Sequence, residues 1–461
     1  MERRWKVLIV AAVAVFMGFL DVTIVNVAFP DIQRSFSDSS RADLSWVLNA
    51  YNVVFAALLV PAGRLADIVG RKRMFMLGVV VFLAASAACG LAGSAETLIA
   101  ARILQAVGGA ILVPTSLALL LPEFPASQRA TATSIWTATG AVAAAVGPSL
   151  GGLLVDSASW RWVFFVNIPI GLAALVPARR ILREHREPGA LPDALGTALL
   201  VAGVGLLALG IVKGPEWGWD SARVLGSLAS AAVLLPLVVL RSARHPAPVI
   251  VPQLFRVRSF SVAVAGTFAF SFAFYALILG NVLFLTQIWG WSILTAGFAI
   301  SPGPLMAAIS APIGGRLSDR YGQRLVALPG ALLFAAGTSW FALRLGSHPH
   351  YVRDYLVGTL MTGSGVGLSY AAWSSAAVAE LVPERFATGS AVVACLRQVG
   401  AVLGIAVLIA VLDGASPADP VAPFTDAYVV VTGAALVAAA IALGLGRVRA
   451  TVAAPAIAEA V

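Results

Sequence analysis

The chain has 461 residues, of which 59% are apolar and only 11% are charged. Soluble domains carry about a quarter charged residues, whereas apolar stretches of about twenty residues recur here from end to end, which leaves no room for a sizeable soluble domain. The basic residues behind the net charge of +9 are scattered in short turns between these stretches, as expected for membrane anchors and not for a nucleic-acid surface.

Fourteen stretches are each long enough to cross a membrane as a helix, because a helix rises ~1.5 Å per residue and the hydrocarbon core is ~30 Å thick. In chain order the predicted spans are 7–29, 45–66, 74–93, 97–120, 131–154, 162–179, 194–212, 222–240, 259–285, 293–315, 325–345, 353–375, 388–411 and 426–446. The first stretch continues past Asp21 without a small-residue cleavage site, so we interpret it as a retained span and not as a signal peptide. The sequence therefore predicts an all-α membrane protein with 14 transmembrane helices.

The positions of lysine and arginine predict the orientation. With the N-terminus inside, 22 basic residues fall on the cytoplasmic side and 7 on the outer side. Such a bias is typical of an even number of spans with both termini in the cytoplasm. Arginine greatly exceeds lysine and the chain is rich in Ala, Gly and Val, so we expect a multi-pass protein of a bacterial cytoplasmic (inner) membrane.

Asp21 is the one acid predicted to lie deep within a span. A carboxylate in hydrocarbon is costly and needs a partner or a wet cavity. Arg102 in span 4 lies at a depth that agrees with that of Asp21 to about 5 Å, at 1.5 Å per residue, so we predict that the two pair. Desolvation and a neighbouring cation shift a carboxyl pKa in opposite directions, and a group that moves between the two surroundings can carry a proton. The alternative is a static ion pair that holds helices together.

An eight-residue motif occurs twice. Residues 63–70 are Gly-Arg-Leu-Ala-Asp-Ile-Val-Gly and residues 315–322 are Gly-Arg-Leu-Ser-Asp-Arg-Tyr-Gly, with five identities at an offset of 252 residues. The copies follow spans 2 and 10, which predicts two matching six-span bundles with two extra spans between them. We place the boundaries at 1–190, 191–258 and 259–461. Parallel halves of this kind are typical of transporters that rock about a central site.

Several motifs together resemble one family. The repeated loop with trailing Arg71, Lys72 and Arg73 is similar to the loop signature of the major facilitator superfamily. Residues 20–28 (Leu-Asp-Val-Thr-Ile-Val-Asn-Val-Ala), 147–152 (Gly-Pro-Ser-Leu-Gly-Gly) and 159–171 (Ser-Trp-Arg-Trp-Val-Phe-Phe-Val-Asn-Ile-Pro-Ile-Gly) narrow the resemblance to the fourteen-span drug:proton antiporters of the EmrB/QacA type. The resemblance covers essentially the whole chain. It departs at Ala106, where the family pattern Arg-x-x-Gln-Gly has glycine.

The resemblance implies a major facilitator fold and two functional elements. It implies a conformational latch on the cytoplasmic side in the outward-open state, formed by Gly63, Asp67, Gly70, Arg71, Arg73, Asp319 and Arg320. It also implies an antiporter kink in span 5, formed by Gly147, Pro148, Gly151 and Gly152. Without the family, the basic cluster would be explained as a topology anchor and the glycines as ordinary close helix packing.

Polar and aromatic residues within the spans are candidates to line a substrate cavity. They are Asn26, Asn49, Asn52, Gln105, Asn281, Gln287, Tyr370, Trp373, Arg397 and Gln398. Tryptophan and tyrosine also populate the interfacial belt, so this set rests on residue type alone. For Arg397 three explanations stay open: it binds an anionic group, pairs with an acid such as Glu380, or extends toward the interface.

Three functions are compatible with many spans: a proton-driven exporter of several small amphipathic or apolar compounds, an exporter or importer of one specific metabolite or lipid-like molecule, or a membrane-embedded enzyme or sensor. The sequence contains no zinc-type His-Glu-x-x-His motif, no acyltransfer motif and no P-loop, so an enzyme and an ATP-driven pump are not expected. A proton needs one carboxylate, whereas sodium needs several oxygen ligands. We therefore expect a proton-coupled antiporter, monomeric in the bilayer, with small-molecule substrates, protons and lipid as partners and with no cofactor, metal or nucleic acid.

Overall fold

The computed structural model describes residues 2–186, 190–381, 386–413 and 419–445. The side chains of 126, 127, 129–131, 133, 134, 137, 141, 319, 378 and 386–388 lie outside this description. Helices and short connecting turns make up the described chain, in which no β-strand occurs.

The described residues form fourteen long helices, numbered here in chain order. The first six are α1 Arg3–Ser35, α2 Trp46–Val69, α3 Arg71–Gly90, α4 Ala95–Leu120, α5 Ala126–Ser157 and α6 Trp162–Ile181. Two follow, α7 Ala194–Val212 and α8 Ala222–Ser242. The last six are α9 Arg258–Leu283, α10 in two segments Ile293–Ile300 and Pro302–Tyr321, α11 Arg324–Arg344, α12 Val357–Val378, α13 Phe386–Asp413 and α14 Ala422–Ala442. Each predicted span falls on one of these helices, so the all-helical fold class is confirmed.

Thirteen of the described helices are long and apolar enough to cross a membrane by composition alone. The remaining one, α12, has 22 residues, and its glycine and serine content lowers its hydropathy. It packs against α9, α10 and α11, so much of its surface faces protein. Several helices also extend beyond the predicted spans, because hydropathy marks the apolar part of a helix and not its polar ends. For example, α1 begins at Arg3 and ends at Ser35, compared with the predicted 7–29, while residue 446 of the last predicted span lies outside the described residues.

The helix contacts repeat at an interval of eight helices. Helix α1 packs on α4, α5 and α6, as α9 packs on α12, α13 and α14. Helix α4 packs on α2 and α3, as α12 packs on α10 and α11. The repeated loop motif also has matching backbone geometry, since Gly70 and Gly322 both have positive φ, at 127° and 94°, where glycine avoids a steric cost. The packing supports the interpretation of two six-helix bundles, whose boundaries at 190 and 258 remain our prediction.

The two bundles meet mainly along two pairs of helices, α2 with α13 and α5 with α10, and α1 makes smaller contacts with α9 and α10. We call the end of the molecule where Arg3 lies the near end and the end where Ser35 lies the far end. At the far end Ser149 Oγ lies 2.6 Å from Ser301 Oγ. Arg41, just before α2, pairs with Asp413 at 3.3 Å, across the two bundles. These contacts hold the bundles together at the far end.

The two extra helices differ in their surroundings. Helix α7 packs against α2 and α13, whereas α8 packs mainly on α7 and has little buried surface. Lys213, after α7, binds Asp43 at 2.8 Å and Glu216 at 2.6 Å. Burial alone would lower the pKa of Lys213, but hydrogen bonds and charge from these two carboxylates raise it. The helix pair is thereby fixed to the loop that precedes α2.

Candidate functional site

Asp21 lies in α1 with its side chain completely buried. Arg102 in α4 donates a hydrogen bond from Nη1 to Asp21 Oδ2 at 2.6 Å, and its own side chain is 1% exposed. The predicted pair therefore exists. An ion pair this deep needs further hydrogen bonds to offset the loss of hydration of both charges.

Two amide side chains complete the surroundings of the carboxylate. Gln105 Nε2 donates to Asp21 Oδ1 at 2.8 Å, and Asn167 Nδ2 of α6 donates to the same oxygen at 2.9 Å. Ser86 Oγ in α3 accepts from Gln105 Nε2 at 2.8 Å and from Asn167 Nδ2 at 3.4 Å. The carboxylate thus accepts hydrogen bonds from three side-chain N–H donors.

Helix α2 also contacts Arg102. The Arg102 Nε donates to the carbonyl of Val47 at 3.0 Å, and its guanidinium carbon lies 4.1 Å from the centre of the Tyr51 ring. Its Nη1 also donates to Gln105 Oε1 at 2.6 Å. Cation–π contact and a carbonyl acceptor both stabilise the guanidinium. The polar cluster, defined as Asp21, Ser86, Arg102, Gln105 and Asn167, therefore joins α1, α3, α4 and α6 and contacts α2.

The glycines of α5 bring this helix against α1 next to Asp21. A Cβ on Gly151 would lie 2.8 Å from the side chain of Ile24, and Gly147 faces Thr23 and Ile24. On another side, a Cβ on Gly152 would lie 2.6 Å from the Cα of Leu294 in α10. Only glycine allows these approaches. Helix α5 continues through Pro148 as one helix, and it links the neighbourhood of Asp21 to the second bundle.

The first loop motif makes its described contacts within its own bundle. Arg71 Nε donates to Asp67 Oδ1 at 2.7 Å, and Arg71 Nη1 donates to the carbonyl of Ala118 at 3.4 Å. Glu184, after α6, accepts hydrogen bonds from the backbone N–H groups of Lys72 and Arg73 at 3.1 and 3.3 Å, as suits an anion at a helix N-terminus. A Cβ on Gly63 would contact Pro114 at 3.3 Å.

In the second loop motif, Arg320 lies over the ring of Tyr321 at 5.2 Å. The side chain of Asp319 lies outside the described residues. The predicted role of both loop motifs as a latch between the bundles stays a prediction.

The predicted cavity residues lie in several different surroundings. Gln105 is completely buried and belongs to the polar cluster. Asn281 accepts a hydrogen bond from the Tyr428 hydroxyl at 3.0 Å, and Gln287 is exposed in a cleft of about 530 Å³ at the far end. Three further side chains are buried with an amide oxygen that has no hydrogen-bond partner: Asn26, Asn49 and Asn52.

The remaining cavity candidates lie in the second bundle, on α12 and α13. Tyr370 shares a hydrogen bond with Ser271 at 2.8 Å. Trp373 is completely buried with its Nε1 unpartnered, and the Arg397 Nε and the Gln398 Oε1 are buried and unpartnered as well. Unsatisfied groups of this kind in a buried position call for a partner.

Sequence reasoning did not place Ser86, Tyr51 or Asn167 at the aspartate. Asn167 is part of the 159–171 motif, and an amide within an apolar span is itself a signal, because such a group needs a hydrogen-bond partner. Depth along the membrane predicted the Asp21–Arg102 pair. It gives no rotation about a helix axis, so it could not tell which other polar residues turn toward the same point.

Comparisons with known proteins agree with this fold. The sequence model described as Major Facilitator Superfamily matches residues 11–278 and 263–459. The multidrug resistance protein Stp of Mycobacterium tuberculosis is 36% identical over 407 residues, which cover 88% of this chain and 75% of that protein. The methylenomycin A resistance protein of Streptomyces coelicolor is 32% identical over 404 residues, 87% of this chain and 84% of that protein.

Solved structures show the same architecture. A bacterial homolog of the human lysosomal transporter Spinster, in an inward-facing and unoccupied conformation, aligns with a TM-score of 0.68 at 18% sequence identity. The alignment covers 96% of this chain and 97% of that chain. At this identity the likeness concerns the fold alone.

Proposed function

We propose that this chain, which belongs to the Major Facilitator Superfamily, is a proton-coupled antiporter that exports small amphipathic or apolar compounds, including antibiotics. The observation that carries the proposal is the buried Asp21–Arg102 pair at the centre of the polar cluster. Relatives that are named for multidrug resistance and for methylenomycin A resistance support the assignment to export.

The chemistry of the polar cluster favours a proton over sodium as the coupling ion. The three side chains around the Asp21 carboxylate all donate N–H groups to it. A sodium ion needs oxygen ligands, and these donors occupy the positions where such ligands would be required. A proton needs only the carboxylate itself.

Protonation of Asp21 would change how the first bundle is held together. A neutral carboxyl leaves Arg102 as a buried charge without its counter-ion, and removing one partner of a buried pair costs about 3–5 kcal/mol. Reversing a two-state equilibrium from 1:99 to 99:1 needs about 5.5 kcal/mol. The free energy of breaking this one pair is therefore comparable to the free energy that reverses a conformational equilibrium.

Two contacts would transmit the change to the second bundle. Arg102 binds Val47 and Tyr51 of α2, and α2 packs on α13. Next to Asp21, α5 packs closely on α1 and, through Gly152, on α10. The bundles meet mainly along these two helix pairs, so a shift in α1, α2 or α5 alters how they tilt.

Further parts of the proposal follow the sequence prediction. We place the chain with the fourteen-span drug:proton antiporters, in a bacterial inner membrane, as a monomer with the near end and both termini in the cytoplasm. In the conformation described here, the far end is closed by the Ser149–Ser301 contact and the Arg41–Asp413 pair. In the outward-open conformation the Asp67 and Arg71 loop would latch the bundles at the near end.

The test is expression in a bacterial host that lacks its own efflux pumps. The host is challenged with a panel of unrelated antibiotics and dyes, with and without an uncoupler, and with an Asp21→Asn variant as the matched inactive form. Uncoupler-sensitive resistance to several compounds, lost in the variant, supports the proposal. Resistance that survives the uncoupler contradicts it.

A second candidate is export of one dedicated compound by the same mechanism. This candidate is favoured by the relative whose name gives resistance to one antibiotic, methylenomycin A. Protection against a single member of the panel, with the same uncoupler sensitivity, would select this candidate over a multidrug exporter.

A further inference from the structure

Arg397 is a cation near the middle of a membrane helix. It lies eleven residues after Phe386, the first residue of α13, which is roughly 16 Å along the helix at 1.5 Å per residue. This distance is far greater than the length of an arginine side chain, so the guanidinium does not reach the near-end interface. The residue is partly buried, and its Nε is buried with no hydrogen-bond partner.

Within the described part of the chain, no ion pair joins an acid to Arg397. Glu380, one predicted partner, instead accepts a hydrogen bond from Ser259 at 2.7 Å. Asp413, at the far end of the same helix, pairs with Arg41. The helices that pack on α13 are α2, α7, α9, α12 and α14, and their sequences carry no Asp or Glu in mid-span. Cations within membrane helices face the bundle interior or a water-filled cavity and pair with an acid or a carbonyl oxygen, so the missing partner of the Arg397 Nε requires an explanation.

Two tyrosines lie within electrostatic range of the arginine. Its charge interacts with the hydroxyls of Tyr275 on α9 and Tyr370 on α12. Between these two lies Phe274, whose ring centre is 5.3 Å from that of Tyr275 and 5.7 Å from that of Tyr370. Aromatic rings and a guanidinium together provide both an apolar surface and a charge.

We propose that Arg397, Tyr275, Tyr370 and Phe274 form a substrate subsite for aromatic organic anions, such as aryl carboxylates, phenolates and sulfonates. The anion supplies the counter-charge that the described residues do not provide, and it accepts hydrogen bonds from the guanidinium, which suits planar oxyanions. The ring of the substrate packs against the aromatic side chains. The proposal rests on the proposed export function, because it specifies which substrates that function carries.

The subsite and the polar cluster are within electrostatic range of each other through two tyrosines. Tyr275 interacts electrostatically with Tyr51, and Tyr51 stacks on Arg102, the partner of Asp21. The path from Arg397 to Asp21 thus crosses from the second bundle to the first through two tyrosines. An anion bound at Arg397 adds its charge near the site where the proton binds.

The test uses three ligands of nearly the same shape and different charge. Purified protein in detergent is titrated by calorimetry with 2-naphthoate (anionic), 2-naphthamide (neutral) and 2-naphthylmethylamine (cationic at neutral pH). We expect naphthoate to bind at least tenfold more tightly than the other two. Equal affinities, or preference for the amine, overturn the proposal, and so does the absence of naphthoate binding at millimolar concentration.

Variants test whether Arg397 causes the preference for naphthoate. Arg397→Gln should abolish the tenfold preference, whereas Arg397→Lys, which keeps the charge but not the planar fork, should retain part of it. Arg353→Gln removes an arginine whose side chain is 69% exposed and should bind like the parent protein. Only variants that elute as a single species in size-exclusion chromatography are titrated. Loss of naphthoate binding in Arg397→Lys equal to that in Arg397→Gln would contradict a charge-based subsite.

The subsite and the export function can be refuted independently of each other. Selective naphthoate binding without any uncoupler-sensitive export would refute export and leave the subsite intact. Uncoupler-sensitive export of cationic dyes only, with no anion preference in binding, would refute the subsite and leave export intact.

Discussion

Replacing Asp21 by Asn should separate binding from proton coupling. Asparagine has nearly the same shape and keeps one oxygen acceptor, but it removes the counter-ion of Arg102, 2.6 Å away. Breaking a buried pair costs about 3–5 kcal/mol. We expect the lower end of this range, because Arg102 keeps its bonds to Val47 and Gln105 and its contact with Tyr51.

The assay is uptake of an exported compound into everted membrane vesicles. Under an imposed pH difference, Asp21→Asn should show no uphill uptake, while exchange of labelled for unlabelled compound continues, because exchange needs no net proton movement. Asp31→Asn is the matched control, since Asp31 is also in α1 and pairs with Arg34 near the far end at 2.8 Å. It should behave as the parent protein.

A double variant, Asp21→Asn with Arg102→Gln, distinguishes coupling from stability. Removing both charges leaves no buried unpaired cation, so thermal stability should largely recover relative to the single variant. Coupling should not recover. If the double variant regains pH-driven uptake, or if Asp21→Asn never loses it, Asp21 is a structural residue and not the proton carrier.

Three further perturbations test other parts of the structure. Gly152→Ala places a methyl group 2.6 Å from the Cα of Leu294, which should disfavour closure of the far end by about 1–3 kcal/mol. Transport should fall, and labelling of a cysteine introduced at the far end should rise. Gly205→Ala, with open space around it, should change neither. Asp193 is buried, which alone would raise its pKa, but the Gly196 N–H and the Arg241 guanidinium lower it. Its stabilisation is therefore present at neutral pH and lost as pH falls through the folded-state pKa. Asp193→Asn keeps a capping oxygen but removes the charge that pairs with Arg241 at 2.7 Å, so it should cost at most about 1 kcal/mol at neutral pH and nothing in acid, by thermal melting; an equal cost at both pH values contradicts this. Asp67→Asn removes a partly exposed pair and should change stability by less than about 1 kcal/mol, yet slow transport severalfold; unchanged transport would remove the loop from the mechanism.

The sequence predicted those features that depend on position along the chain. Fourteen spans, the repeat of the loop motif and the matched depths of Asp21 and Arg102 all follow from hydropathy and spacing. The structure confirms the helical fold and the contact between these two residues. Rotation about a helix axis does not follow from spacing, and for this reason Asn167 and Ser86 were missed at the carboxylate.

The surroundings of Gln105 also could not be predicted from its position along the chain. As a polar residue in a span it was predicted to line the substrate cavity, whereas it is completely buried and bound to Asp21 and Arg102. The positions of Asn26, Asn49 and Asn52 likewise could not be assigned to a substrate surface, because residue type does not specify what a buried amide faces. For Arg397, the sequence left pairing with Glu380 open, and only the structure shows that acid bound to Ser259.

The most direct test of proton-coupled export uses the purified parent protein in sealed liposomes at zero membrane potential. A labelled compound is added and the pH difference across the bilayer is set to plus one, zero and minus one unit. One proton per cycle converts one pH unit into at most about tenfold accumulation, since 1.4 kcal/mol is a factor of ten. We expect accumulation on the acidic side, which reverses when the pH difference is reversed. Equal concentrations on both sides at every pH difference would contradict coupling to protons.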